Sequence, residues 1–181
     1  MDKDGVPSKD DDNDVQQVGF RLAIAYNTGN TNRQIASQIL QTELAAINEN
    51  FVVEVTGLPW PTYLRNQRAR KLPLFPVGWI EDIHETHNWV VPYTLTTYGS
   101  RQNLPQEYKD QFSEIIDRGV VETDPAKRAE IYKEFNQLFY DLNPGILLYQ
   151  LFGRRYEQRW VEGWYDNMIF PGTYYYPISK N

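Results

Sequence analysis

Phe20-Arg21-Leu22-Ala23-Ile24-Ala25-Tyr26, running into Asn27-Thr28-Gly29-Asn30, is the stretch that decides the fold. Its first seven residues read as a strand, and the Asn/Thr/Gly cluster that follows reads as its turn. A helix begins there, with Asn30 or Thr31 as N-cap. Ile35, Ile39, Leu40, Leu44 and Ile47 supply its apolar stripe. Phe51-Val52-Val53-Glu54-Val55 is the next strand. Strand, helix and strand within about 35 residues make a βαβ unit, whose crossover is expected to be right-handed.

Downstream, Trp60 opens a polar helix through Tyr63 and Leu64 to about Arg70. Leu72-Pro73-Leu74-Phe75-Pro76-Val77-Gly78-Trp79 is apolar, but two prolines remove ladder donors, so it cannot be an ordinary central strand throughout. Residues 83–104 read as irregular, with a short helix near His87 to Tyr93. A helix from Pro105 carries Tyr108, Phe112, Ile115 and Ile116 on one face. Asp124 caps another, with Pro125 at its first position and Ile131, Tyr132, Phe135, Leu138, Phe139 and Leu142 as its buried side. Asn143-Pro144-Gly145 ends it, and Ile146 to Leu151 reads as a strand. Ten aromatic residues between Tyr149 and Tyr176 are expected to be buried against something.

The chain has 181 residues, enough for one domain with a sizeable core. Residues 1–14 hold six Asp and two Lys, which is −4 of the net −6. The body is therefore near neutral and implies no basic face, so nucleic acid is not an expected partner. Asp10-Asp11-Asp12-Asn13-Asp14 lacks the glycine and closing glutamate of a calcium loop and reads as part of a solvated acidic arm over residues 1–18. With no cysteine there is no disulfide framework and no thiol chemistry. No run approaches the roughly 20 apolar residues of a membrane span. Met1 is followed at once by charged residues, so no targeting signal is read here.

Two tryptophans and one acid carry the functional reading. Val77-Gly78-Trp79-Ile80-Glu81-Asp82 places a carboxylate three residues after an indole, and Trp60 lies nineteen residues upstream in Leu58-Pro59-Trp60-Pro61-Thr62-Tyr63-Leu64. An aromatic platform beside a single charge suits gripping a ligand. Stacked on peptide planes or sugar faces, each indole would bury about 150–250 Å²; ordinary core packing is the competing role. Asn27 and Thr28 end a strand, where open α/β sheets bind ligands, although capping the helix would also explain them. His84 and His87 have helical spacing but no further matched metal ligands, so no metal or other cofactor is expected. Arg154-Arg155 reads as a solvated turn.

Five motifs in order resemble the peptide/nickel-type extracellular solute-binding proteins, family five of the ABC-importer receptors. They are Tyr26-Asn27-Thr28-Gly29-Asn30; Trp60-Pro61-Thr62-Tyr63-Leu64; Gly78-Trp79-Ile80-Glu81-Asp82; Thr123-Asp124-Pro125-Ala126-Lys127-Arg128-Ala129 before Tyr132; and Trp160-Val161-Glu162-Gly163. The resemblance implies an α/β, type II periplasmic-binding-protein-like lobe with a mixed central sheet flanked by helices. Residues 19–152 would form the ligand-binding lobe, and residues 153–181 an aromatic return segment that rejoins a first lobe. That first lobe is absent from this sequence, which reads as a fragment of a two-lobed receptor. The parent would be periplasmic or extracellular and membrane-associated, with ABC permease subunits as partners. The solute would be an oligopeptide or an oligosaccharide, and the isolated fragment is expected to bind it weakly and to self-associate.

In peptide-binding members of that family, the acid ending the Gly-Trp-x-x-Asp motif meets the ligand's amino terminus, so the resemblance assigns Asp82 that role; a loop carboxylate that caps the next segment is the alternative. Tyr26, Asn27, Thr28, Trp60, Trp79 and Asp82 are the candidate ligand-binding residues. Here the motif continues Ile83-His84-Glu85-Thr86-His87-Asn88-Trp89, without the family's Tyr and Asp-Pro pair, which leaves a sugar ligand open. An enzyme reading has little to stand on, since there is no nucleophile elbow and no phosphate loop. Adjacent Glu81 and Asp82 on an extended segment would point to opposite faces and poorly flank one bond. A structural or oligomerising role for the aromatic tail is the remaining alternative.

Overall fold

The computed structural model describes residues 15, 18–150, 152–167 and 172–181. The expected acidic run Asp10–Asp14 and Leu151 lie outside the described residues. Between Gly78 and Trp79 the chain divides into two compact units.

The first unit is built on the βαβ element. Strand β1 (Phe20–Asn27) pairs in parallel with β2 (Phe51–Leu58), in register from Phe20 opposite Phe51 to Asn27 opposite Leu58. Helix α1 (Thr31–Ile47) makes the crossover. Phe20 and Phe51 stack at 4.6 Å at the start of the pair. Ile24 and Val53 are buried further along it. Asn30 is the N-cap, its side chain accepting from the Arg33 amide at 3.0 Å. The preceding Gly29 has φ +85° in open space, so the backbone conformation alone demands glycine there.

Helix α1 meets the sheet on a different face from the expected stripe. Ser37 is 3% exposed, its hydroxyl donating to the Arg33 carbonyl, and the Gln41 amide donates to the Val53 carbonyl at 2.5 Å. Leu40 and Leu44 are half-buried, whereas Ile35, Ile39 and Ile47 are exposed, Ile39 at 56%. Ile35 and Ile39 each lie two residues from Ser37, about 200° around the helix. A two-stranded sheet covers only one flank of α1, and the small Ser37 sets the close approach.

Helix α2 (Trp60–Arg68) has Pro61 in its first turn and buries Tyr63 and Gln67 completely. The Tyr63 hydroxyl donates to the Pro76 carbonyl at 2.6 Å, which pins the proline-rich return. That return touches the sheet at one place, Leu74 bridging Ile24, where the Ala25 amide donates to the Leu74 carbonyl. Pro73 and Pro76 flank the bridge and supply no amide to extend it.

The second unit is helical: α3 (Thr86–Thr94), α4 (Thr97–Arg101), α5 (Gln106–Val121) and α6 (Pro125–Leu142). Its core gathers Val90, Leu104, Phe112, Ile115, Ile116, Tyr132 and Phe135, with Phe112 and Phe135 5.1 Å apart. The expected apolar faces of α5 and α6 are the ones buried. Asp124 caps α6, accepting from Ala126 and Lys127, and Asn143 ends it at φ 44°.

Two expectations for the tail change. Ile146 to Gln150 form no strand and are exposed, because no strand edge takes up their backbone groups among the described residues. The described tail aromatics are not buried either: Phe152 is 91% exposed, and Tyr156, Tyr175 and Tyr176 are similarly bare; Phe170 lies outside the described residues. The only tail pairing described is β3 (Val161–Glu162) against β4 (Ser179–Lys180), two residues each and too small to cover them. The rings rest instead on each other and on cations: Tyr165 on Tyr174, Arg155 over Trp164, Lys180 over Trp160. Gly163, at φ 83°, passes so close to Pro177 that any side chain would strike its carbonyl.

Candidate functional site

In the first unit the candidate residues collect at the carboxyl ends of the parallel strands. Asn27 is the last residue of β1, Thr28 follows it, and Trp60 opens α2 two residues after β2 ends. The register sets Asn27 directly beside Leu58, so the two strand ends are level. Thr28 donates its amide to the Leu58 carbonyl at 2.8 Å, which locks the turn. The Tyr26 ring lies over Gly57, where an added Cβ would come within 3.0 Å of its hydroxyl. Trp60 is 49% exposed and stacks on buried Tyr63 at 5.7 Å. It is therefore half-open to solvent on a fixed base.

The sequence reading missed Arg33 at this corner. Its guanidinium lies 5.9 Å from the Trp60 ring centre and 6.0 Å from that of Tyr63, and it donates to the Asn27 side-chain oxygen at 2.7 Å. Among the described residues no carboxylate pairs with it. A signal was present in the sequence: Arg33 sits in the first turn of α1, where the helix dipole disfavours a cation by about 0.3–1 kcal/mol. A cation on the wrong end of a helix calls for another reason to be there.

In the second unit, Trp79 and Asp82 are organised by one side chain. The Asn88 amide oxygen accepts from the Trp79 indole at 3.3 Å and from the Asp82 backbone amide at 2.9 Å. The Trp79 ring meets Tyr98 edge-on at 6.1 Å. Asp82 is exposed, and no described group bonds its carboxylate. Glu81 is engaged: one oxygen accepts from the Trp89 indole at 2.5 Å and the other meets His84 Nδ1 at 2.8 Å. The His84 bond, then the Trp89 bond, hold Glu81 below the ordinary carboxylate range, and Glu81 raises His84 above the ordinary imidazole range. The adjacent carboxylates thus have separate surroundings, one engaged and one free, which is poor geometry for a shared acid–base reaction.

Glu85, the residue before α3, accepts two bonds from the Arg128 guanidinium, whose Nε donates to the Gly119 carbonyl at 2.9 Å. Arg128 in turn holds Glu85 below its ordinary pKa. An open hollow of about 570 Å³ lies here, lined by Thr86, Thr123, Arg128 and Tyr132 among others. Its one cation is already taken, and none of the candidate residues lines it.

Comparison with known proteins identifies the fold. The chain is 24% identical over 156 residues to the oligopeptide-binding protein OppA of Bacillus subtilis, which covers 84% of this chain and 27% of OppA. It is 25% identical over 137 residues to di/tripeptide-binding protein 4 of Pseudomonas aeruginosa, covering 74% of this chain and 25% of that protein. HbpA2 from Haemophilus parasuis superimposes with a TM-score of 0.66 at 17% identity, over 91% of this chain and 32% of HbpA2. The chain has the α/β fold of the type II periplasmic binding proteins. The resemblance carried by the five motifs is borne out: the sequence relatives are peptide-binding proteins, and the structural neighbours are family five solute-binding proteins. The chain spans about a quarter of the length of the curated relatives it matches. No protein-family model matches it. No helix among the described residues is long and apolar enough to cross a membrane.

Proposed function

We propose that this chain captures oligopeptides without transforming them, as one lobe of a receptor that hands solute to ABC permease subunits outside the cytoplasmic membrane. The observation that carries this reading is Asp82: an exposed carboxylate with no described partner, fixed through its own backbone amide beside the Trp79 ring. A peptide's ammonium group at 4 Å from it would gain about 4 kcal/mol at an intermediate effective dielectric. Such an anchor is indifferent to the peptide's side chains. In the first unit, Arg33, with no carboxylate partner among the described residues, supports contact with an anionic group of a solute. The names of both curated relatives, one oligopeptide-binding and one di/tripeptide-binding, favour the same class.

A sugar ligand remains the second reading, favoured by the half-exposed Trp60 ring next to the polar Asn27 and Arg33. Titration of the ¹⁵N-labelled chain with unblocked and N-acetylated trialanine, followed by NMR, separates the two. The expected result is that unblocked peptide shifts the Trp79 and Asp82 resonances at millimolar concentration, that acetylation weakens the effect, and that Asp82→Asn removes the preference. Equal response to both peptides would overturn the role of Asp82. Response to maltotriose alone would favour the sugar reading.

A further inference from the structure

Asn88 contacts both halves of the Trp79–Asp82 pair through a single atom. Its side-chain oxygen has two lone pairs and receives two donors, the Trp79 indole N–H and the Asp82 amide N–H. Both partners are donors, so the chemistry fixes which way the amide faces; turned over, its NH₂ would confront two N–H groups. Asn88 itself is held by position, in the first turn of α3 with its amide donating to the Glu85 carbonyl at 3.0 Å. Its neighbour Trp89 closes the same segment by donating to Glu81. Residues 79–82 form no helix or strand, so their shape is set by these side chains and not by a ladder.

We infer that Asn88 is a positioning residue: it sets the distance and angle between the Trp79 ring and the Asp82 carboxylate, and through them the solute geometry that is accepted. This rests on the reading of Trp79 and Asp82 as ligand-binding groups. Asn88 need not touch the solute. Neither its spacing nor its type marks it in the sequence as more than a surface amide.

The test uses the full chain, ¹⁵N-labelled, as wild type, Asn88→Ala, Asn88→Asp, Trp79→Ala and Asp82→Asn. Hydrogen exchange at the Trp79 indole and the Asp82 amide reads the clasp without any ligand. In Asn88→Ala both exchange about tenfold faster or more, the size of one neutral hydrogen bond, while the protons of the α5–α6 core are unchanged. Asn88→Asp keeps an acceptor at the same place and returns both toward wild-type protection. With unblocked trialanine as probe, Asn88→Ala weakens binding about tenfold and Asn88→Asp recovers most of it.

Unchanged exchange at both sites in Asn88→Ala would overturn the clasp itself. Altered exchange with undiminished trialanine binding, while Trp79→Ala and Asp82→Asn weaken it, would overturn the positioning role and leave the ligand reading standing. If Trp79→Ala and Asp82→Asn bind trialanine as wild type does, the ligand reading fails, and the positioning role with it.

Discussion

Removing the Arg128 guanidinium should loosen the segment that carries Asp82 at its far end. In Arg128→Met the aliphatic stem stays and three donors disappear: two to the Glu85 carboxylate and one to the Gly119 carbonyl. The guanidinium also leaves the Tyr132 ring, 5.5 Å away. Two limits bracket the cost. An exposed ion pair is worth about 0.2–1 kcal/mol, and breaking a buried one costs about 3–5 kcal/mol. The side chains of Arg128 and Glu85 are 29% and 32% exposed, between those cases. Water can reach the orphaned Glu85 but less easily the Gly119 carbonyl, so the expected loss is about 2 kcal/mol. For a chain of this size that lowers Tm by roughly 4–8 °C.

Urea and thermal unfolding at pH 7, followed by circular dichroism, measure this. The pH dependence gives a sharper check. Glu85 has a folded pKa below its ordinary value of 4.5, chiefly through its bonds to Arg128. Its contribution is therefore complete above pH 4.5 and is lost as pH falls through the depressed folded value. Wild type and Glu85→Gln should converge in stability in that acidic window and diverge above it. Arg128→Met with wild-type stability at pH 7 would refute the reasoning. So would a gap between wild type and Glu85→Gln that stays constant below pH 4.

Three further outcomes follow from the same geometry. His84 gains a proton-favouring partner in Glu81, so its NMR titration midpoint should lie above 6.5 and fall in Glu81→Gln; the pairing should stabilise the chain below pH 6.5 and fade as pH rises through the folded value. Arg33→Met should lower affinity for unblocked trialanine by more than it does for its C-terminal amide, as read by NMR titration, whereas equal losses would reduce Arg33 to packing. Ile39→Lys should leave stability within about 0.5 kcal/mol of wild type by urea unfolding, because Ile39 is 56% exposed on the uncovered side of α1.

The βαβ core was legible because each of its signals is local. An apolar run, an Asn-Thr-Gly-Asn turn and a cap lie within a dozen residues, and Asn30 does cap α1. The Asp124-Pro125 start and Asn143 end of α6 were readable for the same reason. Errors came where a residue's role depends on what covers it. The isoleucines of α1 have helical spacing, but only the sheet decides which flank is inside, and it chose Ser37 and Gln41. Ile146 to Gln150 have strand composition, but a strand also needs an edge to pair with. At the candidate site the aromatic and acidic residues announced themselves by type. Asn88 did not, since a polar residue on a helix usually means solvent and only the fold reveals what it holds; Arg33 was marked only by its place in the first turn of α1.

The way residues 79–82 are held bears on what they could recognise. A segment fixed by a sheet has spent its backbone donors and acceptors on neighbouring strands. This one is fixed by Asn88 on one side and by Glu81 with Trp89 on the other. Among the described residues no backbone hydrogen bond is made by Trp79, Ile80 or Glu81. Those groups are not spent on a ladder among the described residues. An extended peptide offers complementary backbone groups at a matching repeat, whatever its side chains. A pyranose offers hydroxyls at irregular angles and uses the ring faces instead. The unpaired backbone therefore weighs on the peptide side of the proposal. It also explains why the support should come from side chains: a ladder would have stiffened the segment by occupying the groups that the solute needs.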